Sequence, residues 1–327
     1  MPATPSALIT GITGQDGSFL AELLLAEGYE VTGWSRHGAD GPLGSSEHLR
    51  EQLSLRAGDL HDPESLRAAL REVQPSEVYH LAAPSFIPDS WRTPSETLEV
   101  ITGSCAAVLE QARESRSEMR VFIAASGGIF GDTPESPQNE QTPCRPTNPY
   151  AIAKLAAHQL VGVMRDHTGL HASSGILYNH ESERRPEQFV TRRISRAAAA
   201  IALGLESEVT LGSLDAVRDW SFAGDVMRGA WLMLQQERPG DYVLASGVGH
   251  TVRELAAIAF ACVDLDAERH IRVDETLVRA PERTLNVGDP SRARRELGWR
   301  AELSFEQLVE RMVRADIREL EAAAQSR

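Results

Sequence analysis

The run Thr10-Gly11-Ile12-Thr13-Gly14-Gln15-Asp16-Gly17 stands directly after the apolar stretch Ala7-Leu8-Ile9. Behind it Leu20, Leu23 and Leu24 recur at helical spacing. Glycines so placed restrict the local chain to a strand, a tight turn and a helix start. Gly11 permits the turn, Gly14 lets backbone come close to a bound group, and Gly17 lets helix and strand pack tightly. The N–H groups at such a helix start favour an anion, so the segment reads as a cradle for a dinucleotide pyrophosphate. Its candidate contacts are Gly11, Thr13, Gly14, Gln15, Asp16 and Gly17. The spacing is GxxGxxG, and a glycine turn without a ligand would look the same in isolation.

The unit repeats. Strand patterns at Glu30 to Trp34, Ser54 to Ala57, Glu77 to Leu81, Arg120 to Ala124 and Ala172 to Leu177 alternate with helical ones. Those helices run from Pro63 to about Glu72, from about Pro94 to Ser115 and from Asn148 to Thr168. Repeated β-α units predict an α/β Rossmann fold, a doubly wound parallel sheet with ligands at the carboxyl ends of its strands. After about residue 180 the alternation loosens. Polar, arginine-rich turns (Glu181 to Gln188) give way to helices at about 190–203, 224–235, 252–262 and 305–323, with short strands near Val209 to Leu211 and Tyr242 to Ala245. The expected organisation is a cofactor-binding Rossmann domain over 1–180, to which later segments can return, and a smaller helix-rich C-terminal substrate lobe over 181–327. The glycine- and serine-rich loop from Gly38 to Ser46 is expected to be mobile.

Among the 327 residues the formal net charge is −14, which disfavours nucleic acid as a partner because phosphate binders need a basic stripe. The pairs Arg184-Arg185 and Arg192-Arg193 keep small anions in view. Three cysteines (Cys105, Cys144, Cys262) form no CxxC pair, which predicts reduced thiols in a cytoplasmic protein and no zinc site. No apolar window approaches the roughly 18 residues of a membrane span, and the first residues carry no basic leader, so no membrane partner is expected.

The end of the second strand selects the cofactor. An acid there would bond the ribose hydroxyl of NAD; Gly33-Trp34-Ser35-Arg36-His37 offers Arg36 instead, which suits the 2′-phosphate of NADP over NAD. Asp59 and Leu60, after the third strand, are candidates for the adenine, with a helix-cap role open for Asp59. Tyr150 and Lys154 lie four apart in Pro149-Tyr150-Ala151-Ile152-Ala153-Lys154, on one helix face. A phenol near pKa 10 is a poor base at neutral pH; a neighbouring ammonium and a cationic nicotinamide favour the phenolate. Ser126 can donate a hydrogen bond to the same substrate oxygen. A bare YxxxK also arises by chance on exposed helices; behind a glycine turn and a serine loop it reads as catalytic, with Ser126, Tyr150 and Lys154 as the catalytic set. Cys144, six residues before Tyr150, reads as structural, and His180 as a residue that holds the loop or the cofactor rather than a base.

These segments resemble the extended short-chain dehydrogenase/reductase family, most closely the GDP-mannose 4,6-dehydratases. The likeness covers nearly the whole chain and is densest in Ile9 to Ser18, Gly175 to Arg185, Phe189 to Arg196 and Leu211 to Trp220. It implies that Ser126, Tyr150 and Lys154 take the family's Ser/Thr-Tyr-Lys roles, and that Leu81, Ala82, Ala83, Ser85, His180 and Arg185 line the NADP site. Asn179, Val190, Arg193, Arg218, Arg279 and Glu282 would hold the nucleotide sugar, and a homodimer or homotetramer is implied. Arginines gathered in an acidic chain suit the two phosphates of a GDP-sugar.

One departure stands out. The dehydratases carry a Thr-Ser-Glu run whose carboxylate moves the C5 proton and protonates the leaving hydroxyl; here the run is Ser126-Gly127-Gly128. The Ser-Gly-x run, with Tyr79 to Ala83, Pro94 and Thr97-Leu98, also resembles the GDP-4-keto-6-deoxymannose reductases. The sequence expectation is therefore an NADP-dependent 4-keto-sugar reductase or epimerase acting at C4 of a GDP-hexose. A GDP-mannose 4,6-dehydratase using another acid/base is the alternative. A non-catalytic nucleotide-binding sensor is the alternative of another class.

Overall fold

Near-continuous apolar runs such as Leu8-Ile9 and Val121-Phe122-Ile123 are fully buried, as strands covered on both faces must be. The computed structural model describes residues 4–115, 118–277 and 285–325. Its strands are β1 (Ser6–Thr10), β2 (Glu30–Ser35), β3 (Ser54–Ala57), β4 (Glu77–His80), β5 (Arg120–Ala124), β6 (Ala172–Leu177), β7 (Asn179–Glu181), β8 (Val209–Leu211), β9 (Val217–Phe222), β10 (Asp241–Leu244), β11 (Gly249–Thr251) and β12 (Ile271–Val273). The α-helices are α1 (Gln15–Ala26), α2 (Pro63–Val73), α3 (Ile87–Arg92), α4 (Pro94–Glu114), α5 (Pro149–Thr168), α6 (Val190–Ala202), α7 (Ala223–Gln235), α8 (Val252–Ala261), α9 (Ala267–His270), α10 (Ser291–Leu297) and α11 (Phe305–Gln325).

The main sheet has the order β10-β6-β5-β4-β1-β2-β3, and all its strands are parallel. Helices α1 and α7 bury Leu20, Leu24, Val226 and Met227 on one face; α2, α4 and α5 bury Leu66, Val108 and Ala157 on the other. This is the Rossmann doubly wound fold. Local signals explain the helix that matters most for the site. Asn148 caps α5 by accepting from Ala151 N at 2.9 Å, Pro149 occupies its first position, and Gly169 in left-handed conformation ends it.

After β6 the chain builds a smaller lobe around Ile194, Trp220, Leu255 and Phe260, with a three-stranded sheet β11-β9-β7 and the parallel pair β12-β8. It is interrupted: residues 223–244 return to the main sheet as α7 and the edge strand β10, so the strand expected near Tyr242 belongs to the sheet and not to the lobe. The loop from Gly38 to Ser46 also departs from expectation. Leu43 and Ser46 are buried, Ser46 Oγ donates to the Ile12 carbonyl at 2.5 Å, and Ser45 N donates to Thr13 O at 3.1 Å. Its glycines and serines serve close docking on the glycine turn. Among the described residues no helix is long and apolar enough to cross a membrane.

Candidate active site

Because every strand of the main sheet points the same way, their carboxyl ends open together onto a cleft of about 1910 Å³ beneath the smaller lobe. The candidate residues Gly11, Thr13, Gly14, Gln15, Asp16, Gly17, Arg36, Asp59, Leu60, Leu81 to Ala83 and Ser85 line it. So do Ser126, Tyr150, Lys154, Asn179, His180, Arg185, Val190, Arg193 and Arg218. Arg279 and Glu282 lie outside the described residues.

The cradle is shaped for close approach. Gly11 has φ +77°, and a Cβ there would sit 3.0 Å from Ala82 N; a Cβ on Gly17 would collide with the Gly11 carbonyl. At the end of β2 the Trp34 Nε1 and Ser35 Oγ atoms are buried without a hydrogen-bond partner among the described residues, beside Arg36 in the cleft wall. Buried polar atoms left open this way fit a polar ligand such as the cofactor's ribose end. Asp59 does not cap α2; Asp62 does, accepting from Glu64 N at 3.1 Å. Asp59 instead accepts from His61 N at 2.9 Å, and those bonds to His61, with the Arg36 charge behind them, hold its carboxyl below the usual range.

A buried chain of bonds that sequence reasoning missed sets the Leu81 to Ala83 wall. Ser104 Oγ donates to Val100 O at 2.6 Å, so it accepts from His80 Nε2 at 3.0 Å. His80 Nδ1 then accepts from Thr10 Oγ1 at 2.9 Å, and Thr10 Oγ1 in turn accepts Leu81 N and Ala82 N, each at 3.1 Å. The chain requires a neutral imidazole, and burial together with the Lys154 charge drives His80 down to about 3.

At the candidate catalytic set, Ser126 follows β5 and Tyr150 opens α5. Burial pushes the Tyr150 phenol up, against the pull of the Ser126 hydroxyl and the Arg185 charge. Lys154 Nζ is directed to the Ala124 carbonyl at 2.7 Å, lies 5.8 Å from the Tyr150 ring centroid, and is brought down to about 8 by burial. Here the Ser126 hydroxyl and the Arg185 charge are what draw the phenol down. A Cβ at Gly128 would meet only Ser126 Oγ at 3.4 Å and Ala151 Cβ at 3.8 Å, so the position is open toward the cleft. Cys144 packs under the site with Ile129 and Tyr178 and does not line the cleft. Phe86 and Phe189, also missed, both line the cleft and meet edge to face at 5.8 Å. Each sits at a helix start, where apolar periodicity carries no signal.

A Rossmann sheet with a glycine-turn cradle and a serine–tyrosine–lysine cleft under a second lobe defines an extended short-chain dehydrogenase/reductase. Solved structures of nucleotide-sugar enzymes share its architecture. They include the RMD of Pseudomonas aeruginosa complexed with NADPH (TM-score 0.82, 23% identity, 97% of this chain and 100% of that one). The Thermus thermophilus UDP-glucose 4-epimerase in complex with NAD is another (TM-score 0.81, 28% identity, 95% and 98%). By sequence the chain belongs to the GDP-mannose 4,6 dehydratase family, whose pattern it matches over residues 8–312. It is 42% identical over 323 residues to GDP-mannose 4,6 dehydratase 1 of Arabidopsis thaliana, covering 95% of this chain and 89% of that protein. It is 41% identical over 345 residues to the GDP-mannose 4,6-dehydratase of Sinorhizobium fredii, covering 98% of each.

Proposed function

We propose that the chain binds NADP and a GDP-linked hexose, with GDP-mannose foremost, and that its chemistry begins with hydride transfer at the sugar C4. The observation that carries this is the convergence of Ser126, Tyr150 and Lys154 on the one cleft that also holds the glycine turn. NADP rather than NAD is supported by Arg36 and the open Ser35 hydroxyl at the end of β2. When bound, the nicotinamide supplies a hydride acceptor and donor. Tyr150 Oη exchanges the proton of the C4 oxygen, Ser126 Oγ orients that oxygen by hydrogen bonding, and Lys154 keeps a cation beneath them. Arg185, Arg193 and Arg218 line the same cleft and are the cations that would meet the phosphates.

The relatives support 4,6-dehydration as the overall reaction. In that reading the missing carboxylate is supplied by another group. Asp16 and Glu181 are committed to His180 and to Thr191 and Arg185, whereas Asp132, just beyond Gly128, is exposed on the cleft wall. The glycine at 128 favours a second reading, a 4-keto reductase or epimerase in which hydride transfer proceeds without elimination. GDP-mannose and its 4-keto-6-deoxy derivative, each incubated with NADP(H) and followed by mass spectrometry and NMR, separate the two. Loss of water from GDP-mannose, abolished in Asp132→Asn, is the first outcome; reduction or epimerisation at C4 without water loss is the second. In the second case Gly128→Glu, for which the site has room, is expected to raise water loss by about 10²-fold or more. Tight NADP binding with no turnover of either sugar leaves only a binding protein.

A further inference from the structure

The first turn of α1 sets a carboxylate, Asp16, at the helix end where a pyrophosphate would bind. Two anions there repel unless a cation intervenes. Asp16 Oδ2 lies 2.9 Å from His180 Nε2, and His180 Nδ1 lies 2.7 Å from the Tyr178 carbonyl oxygen. A carbonyl can only accept, so Nδ1 carries a hydrogen; the contact between Nε2 and the carboxylate then requires a second proton between them. The charges facing the pair decide where it resides. Arg185, ion-paired to Glu181 at 3.2 Å, and Lys154 of α5 favour the Asp16 anion, as does the helix start. Burial opposes the anion, yet His180, Gln15 and Arg185 hold Asp16 at about 2; burial likewise opposes the imidazolium, yet Asp16 raises His180. The pair is an imidazolium on a carboxylate. Both ring N–H groups are spent, so His180 has no lone pair with which to act as a base.

Further bonds run alongside. Gln15 Nε2 donates to the His180 carbonyl at 3.0 Å, Ser182 Oγ donates to Gln15 Oε1 at 2.7 Å, and Arg184 reaches Ser18 Oγ at 2.9 Å and Glu22 at 2.6 Å. The helix that begins at the cofactor cradle is thereby sewn to the segment carrying Asn179 and Arg185.

We propose that His180 is a positioning residue which, protonated and gripped by Asp16, locks the Asn179–Arg185 segment to the start of α1, so that NADP and the nucleotide sugar tighten each other's binding. The proposal rests on the two-ligand reading above. A pyrophosphate arriving beside Asp16 makes the proton harder to lose and the segment harder to move; linkage makes the effect reciprocal.

Calorimetry with GDP, which has the nucleotide and no sugar to react, tests it. At pH 7 the wild-type protein saturated with NADP is expected to bind GDP about 10-fold tighter than the free protein. In His180→Gln and Asp16→Asn the ratio falls to about 2-fold or less, and the double variant is no worse than either single one, as for a pair acting as a unit. Thermal melts establish that the variants fold, and nitrogen NMR of the wild-type histidines reads the protonation directly. The wild-type ratio is expected to decline with rising pH in step with the loss of the His180 imidazolium signal. A neutral His180 ring at pH 7, or a ratio unchanged in the variants, overturns the proposal. Failure of NADP to bind at all overturns the functional reading instead and leaves the NMR result to judge the clasp.

Discussion

Tyr150 sits where burial pushes its phenol up while Ser126 and Arg185 pull it back, so its acidity depends on what fills the cleft. Replacing it with phenylalanine removes the proton exchanged with the sugar oxygen. The variant is expected to lose about 10²- to 10⁴-fold in kcat, with NADP affinity changed by less than about 3-fold; steady-state kinetics and a binding isotherm check this. His80 makes a different prediction. Its folded value of about 3 lies below its ordinary 6.5, so the unfolded chain takes up the proton first and stability falls as pH drops from 6.5 toward 3. Between pH 7 and pH 5 the loss is roughly 2 kcal/mol from this group alone, read as a fall in denaturation midpoint. In His80→Asn the protein is less stable at pH 7 but its profile over that range is flatter. That the glycine turn and Ser126, Tyr150 and Lys154 would meet in one cleft was legible in the sequence, because each follows or opens an element at the carboxyl ends of the parallel strands. The pairing of His80 with Thr10 and of His180 with Asp16 was not, since the partners are 70 and 164 residues apart and only the fold brings them together.

At the scale of elements, the parallel strands were readable because both faces are buried and their sequences are correspondingly apolar. Strand β9 escaped the same test, as Arg218 and Asp219 break its apolar pattern. Asp219 is nonetheless fully buried, accepting from Ser246 N and Gly247 N at 2.8 and 2.9 Å and from Gly288 N at 3.2 Å, so a charged residue serves as a staple inside a strand. The join between α6 and α11 follows the same logic. Asp316 has no exposure and holds Arg192 at 2.6 Å and Ser195 Oγ at 2.6 Å, while Arg192 also reaches Glu319 and the Glu183 carbonyl. Asp316→Ala takes the buried partner from the Arg192 guanidinium and leaves it only the more exposed Glu319 and the Glu183 carbonyl. It is expected to cost roughly 3–5 kcal/mol in chemical denaturation and to loosen the segment that carries Arg185.

For the whole molecule, the main sheet does not end at residue 180. The helix α7 and the strand β10 come from beyond that point, yet they cover one face of the main sheet and complete its edge. A fragment ending at residue 180 is therefore expected to show no cooperative thermal transition and to self-associate, as circular dichroism and size-exclusion chromatography would report. The sequence hid this because a four-residue strand carries no mark of which sheet it joins.

That late-arriving strand bears on how the protein is made. While the ribosome is still adding the sixty-odd residues after β6, the unpaired border of that strand stays bare. Nascent chains must then be shielded from one another, and synthesis slow enough to stall in this interval exposes them longest. Co-expression with a holding chaperone should raise the soluble yield more than any change made within the first half of the chain.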